Sequence, residues 1–458
     1  MISAIGIAWL VMSDELISVA EVSSGMVDSG DDAVKSLIYF PFQGFGLLAK
    51  VRIILDMWKN YMDNSIIVTN FTERKSKEIK QPKFSKNTMK ILRSLPCLVV
   101  AGLCVSGLAA SGADKVPTEA DMGAYLMVYH SDSTHSIHMA LSRDGYTFTS
   151  LNEGSPVISG DTIASQHGVR DPHIYRDPRD GSFLLCATDL HIYAQELGLR
   201  DSLWDRPKEQ FGWGNNKGIV LMKSRNLIDW THTEVKFDSI YPDEWSDIGC
   251  AWAPESFYDD TCGEMMIALT MRHGTQPDRL RYIYVDSTYT RPLSAPAQLF
   301  EYPPSDCSVI DGSLAKVDSM YILSYCVHDR EGGGPGIKMA RSSVSPRGPW
   351  TYIDRWVDFE PRSCEAPNLW KRIGSHEWVL VYDIFSIKPH NLGFVSTTDF
   401  ENFNYLKHFN RGVMKTTNFT SPKHPAVIHL TPAEADALEG YWNVNPRRYE
   451  KPSSHSTI

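Results

Sequence analysis

"GAYLMVYHSDSTHSIHMALSRDGYTFTS", residues 123–150, contains two apolar runs, each closed by a polar turn. "GAYLMVY" is aromatic and aliphatic; "IHMALS" leads through "RDG" into the aromatic return "YTFTS". Runs of this kind, bounded by Gly, Asp, Ser or Pro, read as short strands. The first run has later counterparts in "GSFLLCATD", "EMMIALTM", "SMYILSYCV" and "EWVLVYDIF". The second has counterparts in "IVLMKSRNLIDWTH", "RYIYVDSTYTRPLS", "IKMARSSVSPRGPW" and "LGFVSTTDFENFNY". Their reference positions, Ser142, Ser224, Asp286, Ser342 and Thr397, lie 82, 62, 56 and 55 residues apart. That drift fits one sheet unit repeated five times with loop insertions.

A second series precedes the first runs: Asp171, Trp252, Asp311, Glu365 and His424, spaced 81, 59, 54 and 59 residues apart. In a propeller the innermost strands line a central channel, so equivalent strand ends converge on one face. The expected fold is therefore all-β, a five-bladed β-propeller over residues 117–430. In it "SPKHPAVIHL" supplies the innermost strand of a closing blade completed by strands around Ala124–Tyr129 and Ile137–Leu141. A two-sheet sandwich is the rival, because five strand groups alone do not impose radial closure. The phased polar residues favour the propeller.

The wider composition agrees with a folded, sheet-rich chain. Its 458 residues are 42% hydrophobic and 22% charged, enough for a substantial core, and the formal charge of −10 argues against a nucleic-acid partner. From Met89, "MKILRSLPCLVVAGLCVSGLAASGA" has a basic start, an apolar middle and small residues ending at Ala113, the form of a secretory signal peptide. The expectation is export to the periplasm or outside the cell, with residues 89–113 as signal and 1–88 as a non-native or disordered extension from a mis-assigned start. No membrane span remains after cleavage. Cys186, Cys250, Cys262, Cys307, Cys326 and Cys364 show no CxxC spacing and hence no structural zinc site. Residues 431–458 read as a short helix, opened by Thr431, Pro432 and Glu434, followed by a tail.

Several catalytic classes find no support. "GWGNN" (212–216) and "EGGGPG" (331–336) lack the lysine or the strand-to-helix setting of nucleotide loops, and no GxSxG elbow occurs. The acidic residues carry more. Asp171 in "VRDPHIY" precedes a strand, whereas Asp177 in "RDPRDG" belongs to a turn. Asp311 in "VIDGSLAKV" and Glu365 in "SCEAPNLWK" share the phase of Asp171. Three acids around one axis form a hydrolytic constellation. Inverting cleavage of a glycosidic bond needs one carboxylate to activate water and one protonated carboxyl to protonate the leaving oxygen. Trp252 suits sugar stacking or core packing; Glu255 suits sugar hydroxyls or an ion pair. Arg170 and Arg272 are polar clamps or salt-bridge partners, and His390 is a pocket or turn residue. His424 suits orienting a water or a metal-bound water, or a place in the core.

Together "VRDPHIY", "AWAPES", "VIDGSLAKV", "CEAPNLW" and "SPKHPAVI" resemble glycoside hydrolase family 43, across most of residues 117–430. The resemblance implies a five-bladed propeller and inverting hydrolysis of plant-polysaccharide linkages to α-L-arabinofuranosyl or β-D-xylosyl units. It makes Asp171 the general base, Glu365 the general acid and Asp311 the residue that modulates and orients the acid. His424 matches a channel histidine that in some relatives helps hold a water-coordinated structural calcium; no cofactor is required for the chemistry. The acid motif often has Gly where this chain has Ala366. The related sucrose- and fructan-processing enzymes, which retain configuration, carry Asn-Asp-Pro where this chain has Arg170-Asp171-Pro172. The leading expectation is an enzyme releasing terminal residues from an oligosaccharide or polysaccharide. An endo-acting arabinanase or xylanase and a non-catalytic carbohydrate-binding propeller are the alternatives.

Overall fold

The computed structural model describes residues 116–199, 206–331 and 334–447, together with strands Leu10–Ser13 and Leu16–Val19. The chain divides into two compact units, Met1–Ala109 and Ala110–Ile458. In the first unit the two short strands pair antiparallel, Leu10 opposite Val19. The expected signal peptide, most of the N-terminal extension and the tail beyond residue 447 lie outside the described residues.

The second unit is the five-bladed β-propeller expected from the repeat. Four blades follow one another along the chain, each an antiparallel meander of four strands counted from the axis outward. Blade I comprises Val169–Arg176, Phe183–Asp189, Gly218–Ser224 and Thr231–Lys236. Blade II comprises Ile248–Asp259, Glu264–His273, Arg279–Val285 and Ala297–Phe300. Blade III comprises Val309–Val317, Met320–Arg330, Gly334–Ser342 and Thr351–Ile353. Blade IV comprises Glu365–Lys371, Trp378–Ile384, Asn391–Thr397 and Asn404–His408. Blade V is composite: Lys423–Leu430 is innermost and pairs antiparallel with Ala124–His130, then come Ile137–Ser142 and Thr147–Ser150, with Lys415–Thr416 at the rim. The innermost strands of neighbouring blades contact one another around the ring.

The second strands are apolar through their middle because both of their faces are covered there. In blade I, Phe183, Leu185 and Ala187 enter the core shared with blade V, while Leu184 and Cys186 enter the core shared with blade II. In blade IV, Val379 and Val381 face blade V, and Leu380 and Tyr382 face blade III. Strand periodicity thus deals successive side chains to two different interblade cores. The third strands end on the sequence reference positions, or one residue before in blade II, and these residues cap the turns into the fourth strands. Ser142 Oγ accepts from Gly145 N at 2.9 Å, Ser224 Oγ from Leu227 N at 2.9 Å and Thr397 Oγ1 from Phe400 N at 2.9 Å. Asp286 Oδ1 accepts from Thr290 N at 2.9 Å.

A helix, Pro432–Val444, follows the closing strand. Thr431 caps it through a reciprocal pair with Glu434, and Ala435, Leu438 and Trp442 enter the core between blades V and I. Glu434 also receives both Arg176 nitrogens, at 2.7 and 2.8 Å, which ties the helix to blade I.

Closure rests on one strand with two exposed neighbours if it is lost. Deleting residues 423–430 is expected to abolish the cooperative thermal transition, whereas ending the chain after residue 447 shifts the midpoint by no more than about 2 °C. Circular dichroism melts of both proteins check this.

Candidate active site

Each innermost strand opens with the same local irregularity. Register shifts interrupt its pairing at Arg170/His173, Trp252/Glu255, Ile310/Ser313, Glu365/Asn368 and Lys423/Ala426. At each shift one non-glycine residue takes a left-handed conformation: Asp171 (φ 52°), Ala253 (44°), Asp311 (55°), Ala366 (54°) and His424 (45°). A bulge of this kind turns the strand and re-aims a side chain. Four of the five shifts carry Pro immediately after the left-handed residue, where no backbone donor is needed for the ladder, and the third carries Gly312.

The series that sits at one structural level is therefore Asp171, Ala253, Asp311, Ala366 and His424. The sequence phase placed Trp252 and Glu365 in that series, but they occupy the preceding position, level with Arg170, Ile310 and Lys423. The slip arose because Trp252 and Glu365 are the chemically conspicuous residues of their strands. The freed N–H groups are caught by neighbours. Asp171 N donates to His130 Nδ1 at 3.1 Å, Ala253 N to Thr188 Oγ1 at 2.8 Å, Asp311 N to Thr270 Oγ1 at 2.9 Å and Ala366 N to Asp311 Oδ2 at 3.0 Å. Thr188 also donates to Asp171 Oδ2 at 2.7 Å, so one hydroxyl fixes both a bulge and a carboxylate.

These bulges bring Asp171, Asp311, Glu365 and His424 together at the axis. His424 lies between two acids, with Nδ1 3.0 Å from Asp171 Oδ1 and Nε2 3.0 Å from Glu365 Oε1. Ligand atoms of Asp311, Glu365 and His424 lie within 4.8 Å of one another. Asp171, Asp311, Ala366 and His424 line a narrow axial cavity with His173, Ala253 and Glu255. Its volume, about 20 Å³, has room for about one water.

The electrostatics follow from who touches whom. Burial disfavours the imidazolium of His424, but Asp171, the hydrogen bond to Glu365 and the charge of Asp311 overcome it and raise the pKa to about 10. Burial likewise works against the Glu365 carboxylate. The hydrogen bond and charge of His424, with Lys423 and Arg170 behind it, prevail and hold it down to about 2. Asp311 has no such donor. Burial first, and then the negative charges of Glu365 and Asp171, push it up to about 7 against the pull of His424. The two shifts run in opposite directions, Asp311 toward its protonated form and Glu365 toward its carboxylate. In the same cavity, burial drives Glu255 well above the ordinary carboxylate range and its 3.5 Å neighbour His173 down to about 3.

The remaining expected site residues divide. Arg170 is buried beside the acids and pairs with Asp132 at 2.6 Å; His390 reaches the same Asp132 at 3.6 Å. Glu255 lines the axial cavity. Trp252 stands at the rim with its indole N–H on Gly214 O at 2.9 Å, beside Trp213, which is 63% exposed. Arg272 does not reach the axis as a clamp. Its guanidinium donates to Phe211 O, Trp213 O, Gly274 O and Asp278, and stacks 4.5 Å from the Trp252 ring, so it pins the loop that carries Trp213. Sequence reasoning missed His130, Thr188 and the Lys423–Asp383 pair, 3.3 Å apart beside Glu365. Lys423 was visible in "PKHP", as the cation standing where Arg170 stands in "VRDP".

A calcium ion fits this arrangement poorly. Both ring nitrogens of His424 are taken by carboxylates, 3.0 Å from Asp171 and 3.0 Å from Glu365, which leaves neither for a calcium-bound water. Calcium takes about six to eight oxygens, whereas the cavity holds about one water. The positive charge that the acids require is supplied by the protein.

The sequence profile described as a probable glycosyl hydrolase domain, of the group related to glycosyl hydrolase family 43, matches residues 120–436. An α-L-arabinofuranosidase of Bifidobacterium longum subsp. longum is 23% identical over 184 residues, 38% of this chain. The match spans 16% of that relative's own length. Among solved structures, an endo-1,4-β-xylanase from Bacteroides thetaiotaomicron is 12% identical, covering 64% of this chain and 94% of that one with a TM-score of 0.44. An α-L-arabinanase of Cellvibrio cellulosa complexed with arabinohexaose is 12% identical, covering 60% and 88%, with a TM-score of 0.41.

Two outcomes follow from the geometry. Ala366 is left-handed, which costs an L-residue roughly 1–2 kcal/mol, so Ala366→Gly is expected to hold or raise the denaturation midpoint and Ala366→Val to lower it. Urea titrations compare them. The His424 pKa is raised from 6.5 to about 10, so the stability it confers is complete below pH 6.5 and is lost as pH rises through about 10. His424→Asn is expected to lower the melting temperature at pH 6 and to flatten its decline between pH 7 and pH 10, read by calorimetry.

Proposed function

Because the chain belongs to the family of glycosyl hydrolases related to family 43, we propose that it is an inverting glycoside hydrolase that releases terminal α-L-arabinofuranosyl or β-D-xylosyl residues from plant-type polysaccharides. The observation that carries this reading is the imidazolium of His424 set between Asp171 and Glu365, 3.0 Å from each. A ring between two carboxylates suits the roughly 6.5–9.5 Å spacing of an inverting pair, which leaves room for a water, better than the roughly 5–5.5 Å of a retaining pair.

Each residue then has a distinct task. Asp171, oriented by Thr188 and His424, takes the proton of a water that attacks the anomeric carbon. Glu365 delivers a proton to the leaving oxygen. In the free site that proton lies across the 3.0 Å hydrogen bond on His424 Nε2, and it moves to Glu365 as the sugar displaces water and weakens the Asp171–His424 attraction. Asp311 fixes the backbone of Ala366, next to the acid, through its Oδ2. Its own proton keeps the net charge of the cluster low. Arg170 and Trp252 border the sugar, the first as a buried cation beside the acids and the second as an aromatic edge. Chemistry on this plan runs without a bound metal, and the signal-like stretch from Met89 supports action outside the cytoplasm.

The stereochemical test is NMR of the anomeric protons during hydrolysis of arabinofuranosyl, xylosyl and galactosyl substrates. The inverted anomer is expected first; the retained anomer would overturn the mechanism. Asp171→Asn is expected to lower kcat by about 10²–10⁴-fold on every substrate, and Glu365→Gln by a similar factor only where the leaving group is poor. Exhaustive chelation is expected to change kcat/KM by less than about twofold, since no ligand that stabilises the native state is removed.

A further inference from the structure

A second cavity, about 420 Å³, opens on the outer part of blade V, and none of its lining residues lines the axial cavity. The turn between the third and fourth strands of that blade supplies Arg143 and Asp144, and the fourth strand supplies Thr147 and Thr149. The following turn supplies Asn152 and Glu153, and the C-terminal helix supplies Glu439, Trp442 and Asn443; Asn418 completes the wall. The size falls within the roughly 300–1,000 Å³ of sites that take small organic ligands.

The walls are built rather than incidental. Asn152 and Glu153 are successive left-handed residues, φ 51° and 55°, a conformation that costs on the order of 1–3 kcal/mol per residue. Asn152 is 2% exposed and held at both ends, its Nδ2 donating to Pro156 O at 2.7 Å and its Oδ1 accepting from Arg447 N at 2.6 Å. Asn418 grips Ser150 in the same way, accepting from its N at 2.8 Å and donating to its O at 3.1 Å. Arg143 spans to Asp436 at 2.7 Å and Glu439 at 3.0 Å, fixing the helix to the blade.

The lining chemistry selects a ligand class. Asp144, Glu153 and Glu439 outnumber the single cation Arg143, so phosphates, sulfates and uronic acids are repelled. Hydroxyl and amide side chains from Thr147, Thr149 and Asn443 line it, while Trp442 and Leu151, 4% and 6% exposed, lie behind them in the core. A ligand rich in hydroxyls and carrying no charge matches this lining: a neutral saccharide.

We propose that this cavity is a non-catalytic binding site for a short neutral segment of the polysaccharide that the axial site cleaves, holding the enzyme on the polymer between turnovers. The identity of the polymer rests on the glycoside hydrolase reading; the cavity and its preference for neutral sugars do not. Local concentration at the chain end then raises activity on polymer without touching chemistry on small substrates.

The test uses affinity electrophoresis through gels containing arabinan, arabinoxylan or polygalacturonate, with the Asp171→Asn protein, alongside kinetics of otherwise wild-type proteins. Thr149→Trp fills the cavity from its exposed edge, and Asn443→Trp fills it from the helix in case the first variant perturbs the blade; matched melting temperatures establish folding. Retardation by a neutral polymer and not by polygalacturonate is expected, weakened about tenfold by either filling variant. The same variants should raise KM on that polymer while leaving kcat/KM on an aryl glycoside within about twofold. Retardation that survives both filling variants, or none in a neutral polymer that the wild-type enzyme hydrolyses, overturns the proposal and leaves the catalytic reading intact. Retardation lost on filling, with no hydrolysis of any glycoside by the wild-type protein, supports the cavity and removes the catalytic reading.

Discussion

A single backbone device, the left-handed residue at the head of every innermost strand, sets the geometry on which the site depends. Asp171, Asp311 and His424 reach the axis because the chain turns at those positions, and Glu365 reaches it from the residue before such a turn. Each turn frees an N–H that would be costly to bury unpaired. The partners that satisfy four of them, His130, Thr188, Thr270 and Asp311, come from the neighbouring blade or the site itself. Local strain and interblade contact are thereby coupled: a bulge persists only while the adjacent blade is in place to receive its donor.

The charges at the axis obey the same economy of partners. Three acids converge in a space that excludes nearly all water, and they would repel one another if all were ionised. His424 divides them. Its ring holds the Glu365 carboxyl well below the usual range, while Asp311, which lacks that hydrogen bond, is pushed upward by burial. Lys423 and Arg170 stand at equivalent positions on strands that flank the cluster and temper the negative charge further.

Much of this was legible in the sequence, and the exceptions have physical reasons. The repeat was readable because hydroxyl or carboxylate residues at or just after the ends of the third strands cap a turn, and because second strands between two cores are apolar through their middle. Asp177 was correctly separated from Asp171: it accepts from Arg179 within its own turn. The level of Trp252 and Glu365 was misread by one residue, since a bulge inserts a position that spacing alone cannot assign to a side of the strand. Arg272 was left between clamp and salt-bridge partner because a guanidinium suits either task; the positions of Phe211, Trp213 and Asp278 show the bonds it makes. Thr188 and His130 carried no motif, as their role depends on which strands become neighbours in space. The rim cavity was equally invisible, being assembled from residues near 150, 418 and 440.

The composite blade also has a kinetic meaning. Met127 pairs with Val427 across 300 residues of chain, so the ring cannot close until the last strand has emerged from the ribosome and found the first. Such long-range pairing slows folding. The same strand delivers Lys423 and His424, the cations that make a crowd of buried acids tolerable. Before docking, an open ring presents uncompensated negative charge at its axis and an unpaired strand edge at its gap; afterwards both liabilities vanish in one event. Catalytic competence and topological closure therefore arrive together, and a nascent chain interrupted short of residue 423 carries all three acids without the residue that brings them into register.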